Sequence, residues 1–361
     1  MAAGSEVDTE QARKNARAGA MKASKKKAPS NMNTYIAVGI FAGIVGVVIG
    51  ILVLYPELPL HKVPALNSDL MEAENSLGLS FTQKSNDFFE NWMLSDVQKS
   101  AQNSVSQQAR NLSPCSSYIN EGELVPENYD SREHWPHCIE PVANQGNCSS
   151  AYALASAGVL SERFCIQSKG SIIVNLSAQD IVSCDKNNRG CEGGYADTVW
   201  KYISDVGLVE SECFPYSSQN HEVPDCSEKC KTQETYKVTD YCATATEQGI
   251  MREIKNNGPV MGLMNLFTDF LGYSQGIYKP QLSADKLQAT QAVEIIGWGT
   301  DSSTKDQYWI IKNFWGTGWG ENGYARVARG VKELGLEDFA LAGSPWITKE
   351  MSSGSKVEVE N

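Results

Sequence analysis

The sequence predicts an α+β protein with a single transmembrane helix near the start of the chain. The first observation is an uncharged run of 21 residues, Tyr35 to Tyr55, which as an α-helix is about 30 Å long and matches the hydrocarbon core of a bilayer. The second is an amphipathic stretch, Phe88 to Gln102, with the periodicity of a helix. The third is the strand-like alternation of residues 292–299 and 307–315.

We interpret residues 35–55 as an uncleaved signal anchor. A cleavable signal peptide has a shorter apolar region followed by a small-residue cleavage site, whereas Pro56 and Glu57 follow this run. Positive charge stays on the cytoplasmic side. Residues 1–34 are therefore expected to be a cytoplasmic basic tail, and the later residues luminal or extracellular; the basic side chains that precede the run are Arg13, Lys14, Arg17, Lys22, Lys25, Lys26 and Lys27.

The cysteines also indicate an oxidising compartment. All 10 lie between Cys115 and Cys242, and an even, clustered set is typical of structural disulfides. Zinc is a weaker alternative for close pairs such as Cys226 and Cys230, because the chain has only 4 histidines and none flanks a CxxC. Neither a metal nor a cofactor is expected.

Three Asn-x-Ser sequons predict a glycoprotein of the secretory or endolysosomal system; they begin at Asn111, Asn147 and Asn175. The inner mitochondrial membrane stays open as a location, although Glu6, Asp8 and Glu10 are untypical of a transit peptide.

The charge balance argues against nucleic acid as a partner. The formal net charge is -12, and phosphate binding needs a concentrated positive surface. The expected partners are the membrane, through residues 35–55, and a protein or peptide of unknown identity.

Two further segments are polar. Residues 56–124 are interpreted either as a luminal stalk or as a vestigial propeptide packed on the next domain, and the sequence leaves both open. Residues 348–361 are expected to be a polar tail.

From Val125 onward the chain resembles the papain family of cysteine proteases, and in detail its cathepsin B branch. The motifs follow the family's order over roughly 220 residues: "VPENYDSREHWPHC" (125–138), "SERFC" (161–165), "GCEGGY" (190–195), "NNGPV" (256–260), "FTDFLGYSQGIY" (267–278), "AVEIIGWG" (292–299) and "YWIIKNFWGTGWGENGYARV" (308–327).

The resemblance implies a papain-like domain over 125–347, with two lobes and a peptide cleft between them. The helical lobe is expected over about 125–235, with a long helix from about Ser150, and the β-rich lobe over about 236–347. The family's disulfides carry over to Cys138–Cys165, Cys148–Cys191, Cys184–Cys226 and Cys213–Cys230. Cys115 and Cys242 remain and are paired by elimination.

The two groups that perform the family's chemistry are replaced. In "NQGNCSSAYALAS" (144–156) Ala151 stands where the family has its nucleophilic cysteine, and in "TQAVEIIGWG" (290–299) Gln291 stands where it has its histidine. A methyl group cannot attack an amide bond, and a carboxamide does not titrate near neutral pH. Gln145 and Asn313, which resemble the oxyanion donor and the residue that orients the histidine, are kept.

Neighbouring residues do not supply a substitute. Ser149 and Ser150 precede Ala151, but a shift of one position on a helix turns a side chain by about 100°. The histidines, at positions 61, 134, 137 and 221, occupy none of the family's catalytic positions. Further departures from the family pattern favour a natural loss of activity over an engineered one: Ser149 for glycine, Tyr152 for tryptophan and Phe314 for serine.

The resemblance makes Gly193, Gly194, Gln145 and Trp315 the candidates for peptide binding, through an extended main chain. The alternative is that these residues only maintain the fold. The sequence thus predicts a membrane-anchored pseudoprotease that serves as a peptide- or protein-binding module or scaffold. The alternatives are a structural subunit of a membrane complex and a hydrolase with unrecognised catalytic residues.

Overall fold

The computed structural model describes residues 59–115, 124–230, 234–348 and Met351. The basic tail, the apolar run 35–55 and most of the polar tail lie outside them. Among the described residues, no helix is both long enough and apolar enough to cross a membrane.

Helices and strands alternate along the described chain. The helices are α1 (Ser68–Asn75), α2 (Leu94–Ser100), α3 (Ser131–His134), α4 (Ala151–Gln167), α5 (Ala178–Cys184), α6 (Ala196–Asp205) and α7 (Glu247–Asn257). The strands are β1 (Phe81–Gln83), β2 (Asn103–Ser104), β3 (Tyr129–Asp130), β4 (Gly194–Tyr195), β5 (Val238–Thr244), β6 (Val260–Phe267), β7 (Tyr273–Tyr278), β8 (Lys286–Thr300), β9 (Gln307–Lys312), β10 (Tyr324–Ala328) and β11 (Ala340–Pro345).

The β-rich lobe is a 9-stranded sheet in the order β1-β7-β10-β9-β8-β6-β11-β5, with β3 also paired to β8. Strand β8 is the centre of the sheet and pairs antiparallel with β6 and β9. Strand β3 comes from the start of the expected helical lobe but pairs with β8 of the large sheet. The Tyr129 ring stacks there on Trp298, with ring centroids 4.9 Å apart. Gln291 on β8 and Lys312 at the end of β9 lie at the boundary between the lobes.

Helix α4 is the core of the helical lobe. Every residue from Ala151 to Ile166 is buried. Most of them are apolar or small, and the charged Glu162 and Arg163 form ion pairs with Lys312 and Glu253. It contacts α5 and α6 on one side and β8 and β11 on the other. Gly158 permits the close approach to β8, because a Cβ at that position would lie 2.4 Å from Oε1 of Glu294.

A buried lysine joins the two lobes. The Lys312 ammonium lies 2.5 Å from Oε1 of Glu162 on α4 and 2.9 Å from Oε2 of Glu294 on β8. Burial raises the pKa of the Glu294 carboxyl well above its usual range, and the carboxylate of Glu162 raises it further. The protonated form of Glu294 is therefore favoured more than in an exposed glutamate, while the Lys312 ammonium lies within ion-pair distance of both carboxyl groups.

The segment 59–115, called here the leading segment, packs on the papain-like domain. Strand β1 pairs antiparallel with β7 at one edge of the large sheet. Phe89 and Val97, 1% and 0% exposed, belong to the hydrophobic core of the β-rich lobe. Its far end is bonded to the sheet through the disulfide between Cys115 and Cys242.

The helix expected over Phe88–Gln102 is shorter than the periodicity indicates. Only Leu94–Ser100 is α-helical, and Asp87–Phe89 forms a 3₁₀ turn capped by the Asn86 side chain. The Asp96 carboxylate accepts the Met93 N–H at 3.0 Å and starts the helix there. The helix ends at Ser100 because Ala101 leaves the helical conformation and its carbonyl accepts the Thr290 N–H at 2.8 Å.

The ten cysteines form the five expected pairs. They are Cys115–Cys242, Cys138–Cys165, Cys148–Cys191, Cys184–Cys226 and Cys213–Cys230. Cys226 and Cys230 bond to different partners, so the zinc alternative for this pair is wrong.

A buried carboxyl group makes the stability of the sheet depend on pH. Asp269 is 4% exposed and accepts hydrogen bonds from the Tyr278 hydroxyl at 2.6 Å and the Gln281 N–H at 2.8 Å. Burial raises its pKa to about 7, although both hydrogen bonds oppose the shift. The folded protein therefore holds a proton at this position that the unfolded chain releases near pH 4.

The Asp269→Asn variant is expected to gain stability relative to the wild type as the pH rises from about 4 to about 8. Between the pKa of the unfolded chain and that of the folded protein, the wild type loses about 1.4 kcal/mol of stability for each rise of one in pH, while the neutral amide loses none. Thermal denaturation across this range measures the difference. The exposed Asp306→Asn serves as control, and equal curves for both variants would contradict the assignment.

Replacing Phe89 by alanine is expected to lower the free energy of unfolding by roughly 3–5 kcal/mol. The Phe89 ring meets Trp315 edge to face at 4.7 Å, so its loss leaves a cavity between the leading segment and the sheet. Urea denaturation measures the change. The neighbouring exposed Glu90→Ala is expected to stay within about 0.5 kcal/mol of wild type, and a similarly small effect for Phe89→Ala would show that the segment does not pack here.

Candidate functional site

The candidate site lies where α4 begins, between the two lobes. Ser149 donates its backbone N–H to the Cys191 carbonyl at 2.9 Å, and the disulfide between Cys148 and Cys191 fixes the same loop. Helix α4 then begins at Ala151, which is 0% exposed. This position carries no donor, acceptor or ionisable group.

Three buried carboxamides form a hydrogen-bonded cluster. Gln291, on β8, donates from Nε2 to Oε1 of Gln145 at 2.8 Å and to Oδ1 of Asn313 at 3.1 Å. All three residues are 0% exposed. Asn313 Oδ1 also accepts the Phe314 N–H at 2.8 Å, which fixes the orientation of its amide. None of these groups can take up or release a proton near neutral pH.

Gln145 has no hydrogen left to donate to a substrate oxygen. Its Nε2 donates to the carbonyl of Ser100 and to that of Cys148, both at 2.9 Å. Gln291 Oε1, Asn313 Nδ2 and Trp315 Nε1 are buried without a hydrogen-bond partner among the described residues. The carboxamides of Gln145, Gln291 and Asn313 thus have fixed orientations, and none of them exchanges a proton near neutral pH.

Trp315 lies in an aromatic cluster rather than at an open surface. It is 2% exposed and packs against Phe89 of the leading segment and against Trp319, with ring centroids 4.7 and 4.9 Å away. Phe88 stacks on it from the same segment at 5.7 Å. Phe270 completes the cluster on the sheet side at 5.9 Å.

The cleft between the lobes contains the leading segment. Strand β2 of that segment pairs in parallel with β4, placing Asn103 opposite Gly194. Gly193 adopts a φ of +93°, and a Cβ there would lie 2.0 Å from the carbonyl oxygen of Gln102. Two of the expected peptide-binding glycines therefore contact an extended segment of the same chain.

Asn103 bridges the lobes at the centre of the site. Its Oδ1 accepts the Tyr152 N–H at 3.1 Å and its Nδ2 donates to the Thr290 carbonyl at 2.9 Å. Tyr152 follows Ala151 and Thr290 precedes Gln291. Sequence reasoning did not identify Asn103 as a site residue. Its only signal was its place in the 56–124 segment, one interpretation of which was a propeptide.

The neighbouring hydroxyl groups are already engaged. Ser149 Oγ accepts the Gln102 N–H at 2.8 Å, and Ser150 Oγ lies 2.5 Å from the Tyr216 hydroxyl. Burial raises the pKa of Tyr216 to about 12, so this phenol is not a base for Ser150 at neutral pH. The His221 Nε2 lies 2.9 Å from Glu192, and the His134 ring stacks on Tyr129 at 4.2 Å.

Among the described residues, one group combines metal-ligating residue types at short range. The Cys115 and Cys242 sulfurs and a Glu253 oxygen lie within 4.8 Å of one another. Both sulfurs belong to a disulfide, and Glu253 forms an ion pair with Arg163 at 2.9 Å. These atoms are not free to bind a cation as they stand.

Similar proteins carry the same domain. Residues 125–344 match the family described as papain family cysteine protease. Cathepsin B-like CP2 of Giardia intestinalis is 37% identical over 228 residues, which are 61% of this chain and 74% of that protein. Cathepsin B-like cysteine proteinase 4 of Caenorhabditis elegans is 34% identical over 264 residues, 63% of this chain and 77% of that protein.

Solved structures agree. The proCathepsin B S9 from Trypanosoma congolense has a TM-score of 0.71 at 28% identity, covering 79% of this chain and 100% of that chain. Digestive procathepsin L 3 of Tenebrio molitor larval midgut has a TM-score of 0.65 over 92% of this chain and 99% of that one, and at 20% identity it shows the fold alone. This chain therefore belongs to the papain family of cysteine proteases, with cathepsin B-like proteins among its relatives.

Proposed function

We propose that the protein is a membrane-anchored, catalytically inactive cathepsin B-like protein that serves as a peptide- or protein-binding module or scaffold. The observation that carries this proposal is the presence of Ala151 and Gln291 at the two positions where the family performs its chemistry. Both residues are 0% exposed. Gln291 is held by two amide hydrogen bonds, so it has no freedom to act on a substrate.

The geometry supports the loss of activity for a chemical reason. Peptide hydrolysis by this family requires a thiolate and a group that returns a proton to the leaving amine. Without nucleophile and base, binding and an oxyanion hole supply only about 10³- to 10⁴-fold over water. Even this remainder needs a free donor, and both hydrogens of Gln145 Nε2 are used within the protein.

A hydrolase with unrecognised residues is the weaker alternative. Ser150 directly precedes Ala151, but the partner of its hydroxyl is the phenol of Tyr216. Ser149 accepts a hydrogen bond from the leading segment. Neither serine has a basic side chain beside it among the contacts of the described residues.

The cleft supports protein binding better than the capture of free peptides. Gly193 and Gly194 contact Gln102 and Asn103 of the same chain. An external peptide has to displace these residues, whereas a protein partner can use the outer surface unaided. A structural subunit of a membrane complex shares this property, and a stoichiometric partner recovered by crosslinking would favour it.

The protein is proposed to span a membrane once, with its N-terminus in the cytoplasm and its papain-like domain in the lumen or outside the cell. Residues 35–55 supply the anchor and the basic residues before them the orientation. The five disulfides support an oxidising compartment. Asn111, Asn147 and Asn175 are exposed, as glycan acceptors must be.

The purified full-length chain is expected to cleave no member of a broad peptide library, because the site holds no nucleophile. Mass spectrometry of the library after incubation measures cleavage, with an active cathepsin B-like protease as positive control. The Ser150→Ala variant should give the same background as the wild type. Turnover by the wild type that this variant or a papain-family inhibitor abolishes would overturn the proposal.

The chain in isolated membranes is expected to resist extraction at alkaline pH, and its papain-like domain to be protected from added protease until the membranes are opened. A glycan-removing enzyme should then lower its apparent mass, and Asn175→Gln should reduce that shift. Extraction into the soluble fraction would refute the anchor. A protected chain without glycans would favour the mitochondrial location.

A further inference from the structure

A surface cavity lies beside the C-terminal half of α4, away from Ala151. Its volume is about 350 Å³, and it is lined by Ser161 of the helix and by the disulfide between Cys138 and Cys165. A cavity of this size is within the range that proteins use to bind small ligands. None of the residues that line it belongs to the candidate site, so it can be occupied while the leading segment stays in the cleft.

Part of the cavity wall is apolar and accessible to a partner. Ile173 is 68% exposed, and Ile139, Pro141 and Val174 line the cavity with it while being exposed or half-buried. Single exposed apolar side chains are common on protein surfaces. Four around one cavity offer apolar area that a bound segment can cover, which the hydrophobic effect favours.

The cavity is also lined by three glutamates, Glu140, Glu210 and Glu212. Glu212 is exposed, whereas the Glu210 carboxylate accepts the Tyr236 hydroxyl at 2.7 Å. These three carboxyl groups give the cavity a negative character that complements a cation. The chain has a formal net charge of -12, which favours the approach of a basic partner over longer distances.

The three glutamates are spaced too widely for a compact metal centre. Among the described residues, the group of metal-ligating side chains with atoms within 4.8 Å of one another is the one around Cys115, and it includes none of these glutamates. His137 lines the cavity as well, and it also lies outside that group. Carboxyl groups distributed around a cavity fit an extended organic cation, because a metal ion needs its ligands at 2–2.6 Å or so.

Glu140 connects the cavity to the buried ion pair between the lobes. Its N–H donates to Oε1 of Glu162 at 3.0 Å, and its carbonyl accepts the Lys312 ammonium at 3.4 Å. Burial raises the pKa of the Glu140 carboxyl to about 8, although Lys312 and a hydrogen bond with Ser161 oppose the shift. At neutral pH this carboxyl is therefore mostly protonated, and a cation that enters beside it favours its ionised form.

We propose that this cavity binds an arginine side chain of a partner protein, with an apolar residue next to that arginine packed on Ile173. A guanidinium group has five N–H donors in a planar fork and can reach two carboxyl groups at once, whereas a lysine ammonium is a point charge. The arginine methylenes lie along the apolar wall. The binding itself is independent of the cleft, but its use to recruit a partner rests on the proposed role as a binding module.

The probe is a tripeptide of glycine, arginine and leucine with blocked ends. Its matched control contains citrulline instead of arginine, which replaces the guanidinium by a neutral urea of similar shape. Broadening of the peptide's NMR signals by the full chain in detergent solution measures binding. The arginine peptide is expected to bind about tenfold more tightly, because the citrulline peptide has no charge to pair with the carboxylates. Equal affinities would overturn the proposal.

Substitutions in the cavity test where the peptide binds. Glu212→Gln is expected to weaken binding of the arginine peptide about two- to fivefold, as for the loss of one exposed ion pair. The equally exposed Glu90→Gln, on the leading segment, is the matched control and should leave the affinity unchanged. The same affinity for both variants would show that the peptide binds elsewhere.

A pH series tests the contact with Glu140. The affinity of the arginine peptide is expected to rise severalfold from about pH 7 to about pH 9, because the Glu140 carboxyl loses its proton in this range. Glu140→Gln should remove most of this rise, and an unchanged rise would overturn the contact. The other charged or titratable groups that lie behind Glu140 or line the cavity with it are Glu162, Glu294, Lys312, His137, Glu210 and Glu212.

Asn175, one of the expected glycan acceptors, also lines the cavity. It is exposed, and its Oδ1 accepts the Ser211 hydroxyl at 2.9 Å. The binding measurement is therefore made with the wild type and with Asn175→Gln, which carries no sugar at this position. Absence of binding to both chains would overturn the proposal. Cleavage of the peptide library is a separate readout, so failure of this site is distinguishable from failure of the proposed inactivity.

Discussion

The buried ion pair between Lys312 and Glu162, with Glu294 2.9 Å from the same ammonium, holds the lobes in register. It joins α4, β8 and β9, the three elements that present Ala151, Gln291 and Asn313 to one another. Removing one partner from such a pair leaves a buried charge uncompensated and destabilises a protein strongly. The geometry of the site therefore persists for reasons of folding, whether or not any chemistry takes place there.

The cleft between the lobes contains polar backbone and side-chain groups that need hydrogen bonds. Water supplies them in an open site. In this protein the leading segment supplies several of them, and Asn103 alone pairs one group from each lobe. The region between the lobes thus has the character of a protein interior, with buried amides and few exposed polar atoms, rather than that of a solvent-filled groove.

The sequence predicted the parts of this structure that leave a periodic or motif-based signal. Strand alternation anticipated β8 and β9, and the family's motifs with elimination gave all five disulfides. The helix over Phe88–Gln102 was overestimated because Phe88 and Phe89 follow a helical spacing but pack on Trp315. Asn103 could not be predicted, since its two hydrogen bonds reach residues 49 and 187 positions away and a single asparagine has no pattern.

Strand β1 has a role that extends past its three residues. It covers the outer edge of β7, which would otherwise present a row of unpaired N–H and carbonyl groups to other chains. A domain deprived of residues 59–115 would therefore carry an open sheet edge suited to intermolecular strand pairing. Keeping this short strand in place protects the molecule against aggregation, independently of anything that happens in the cleft.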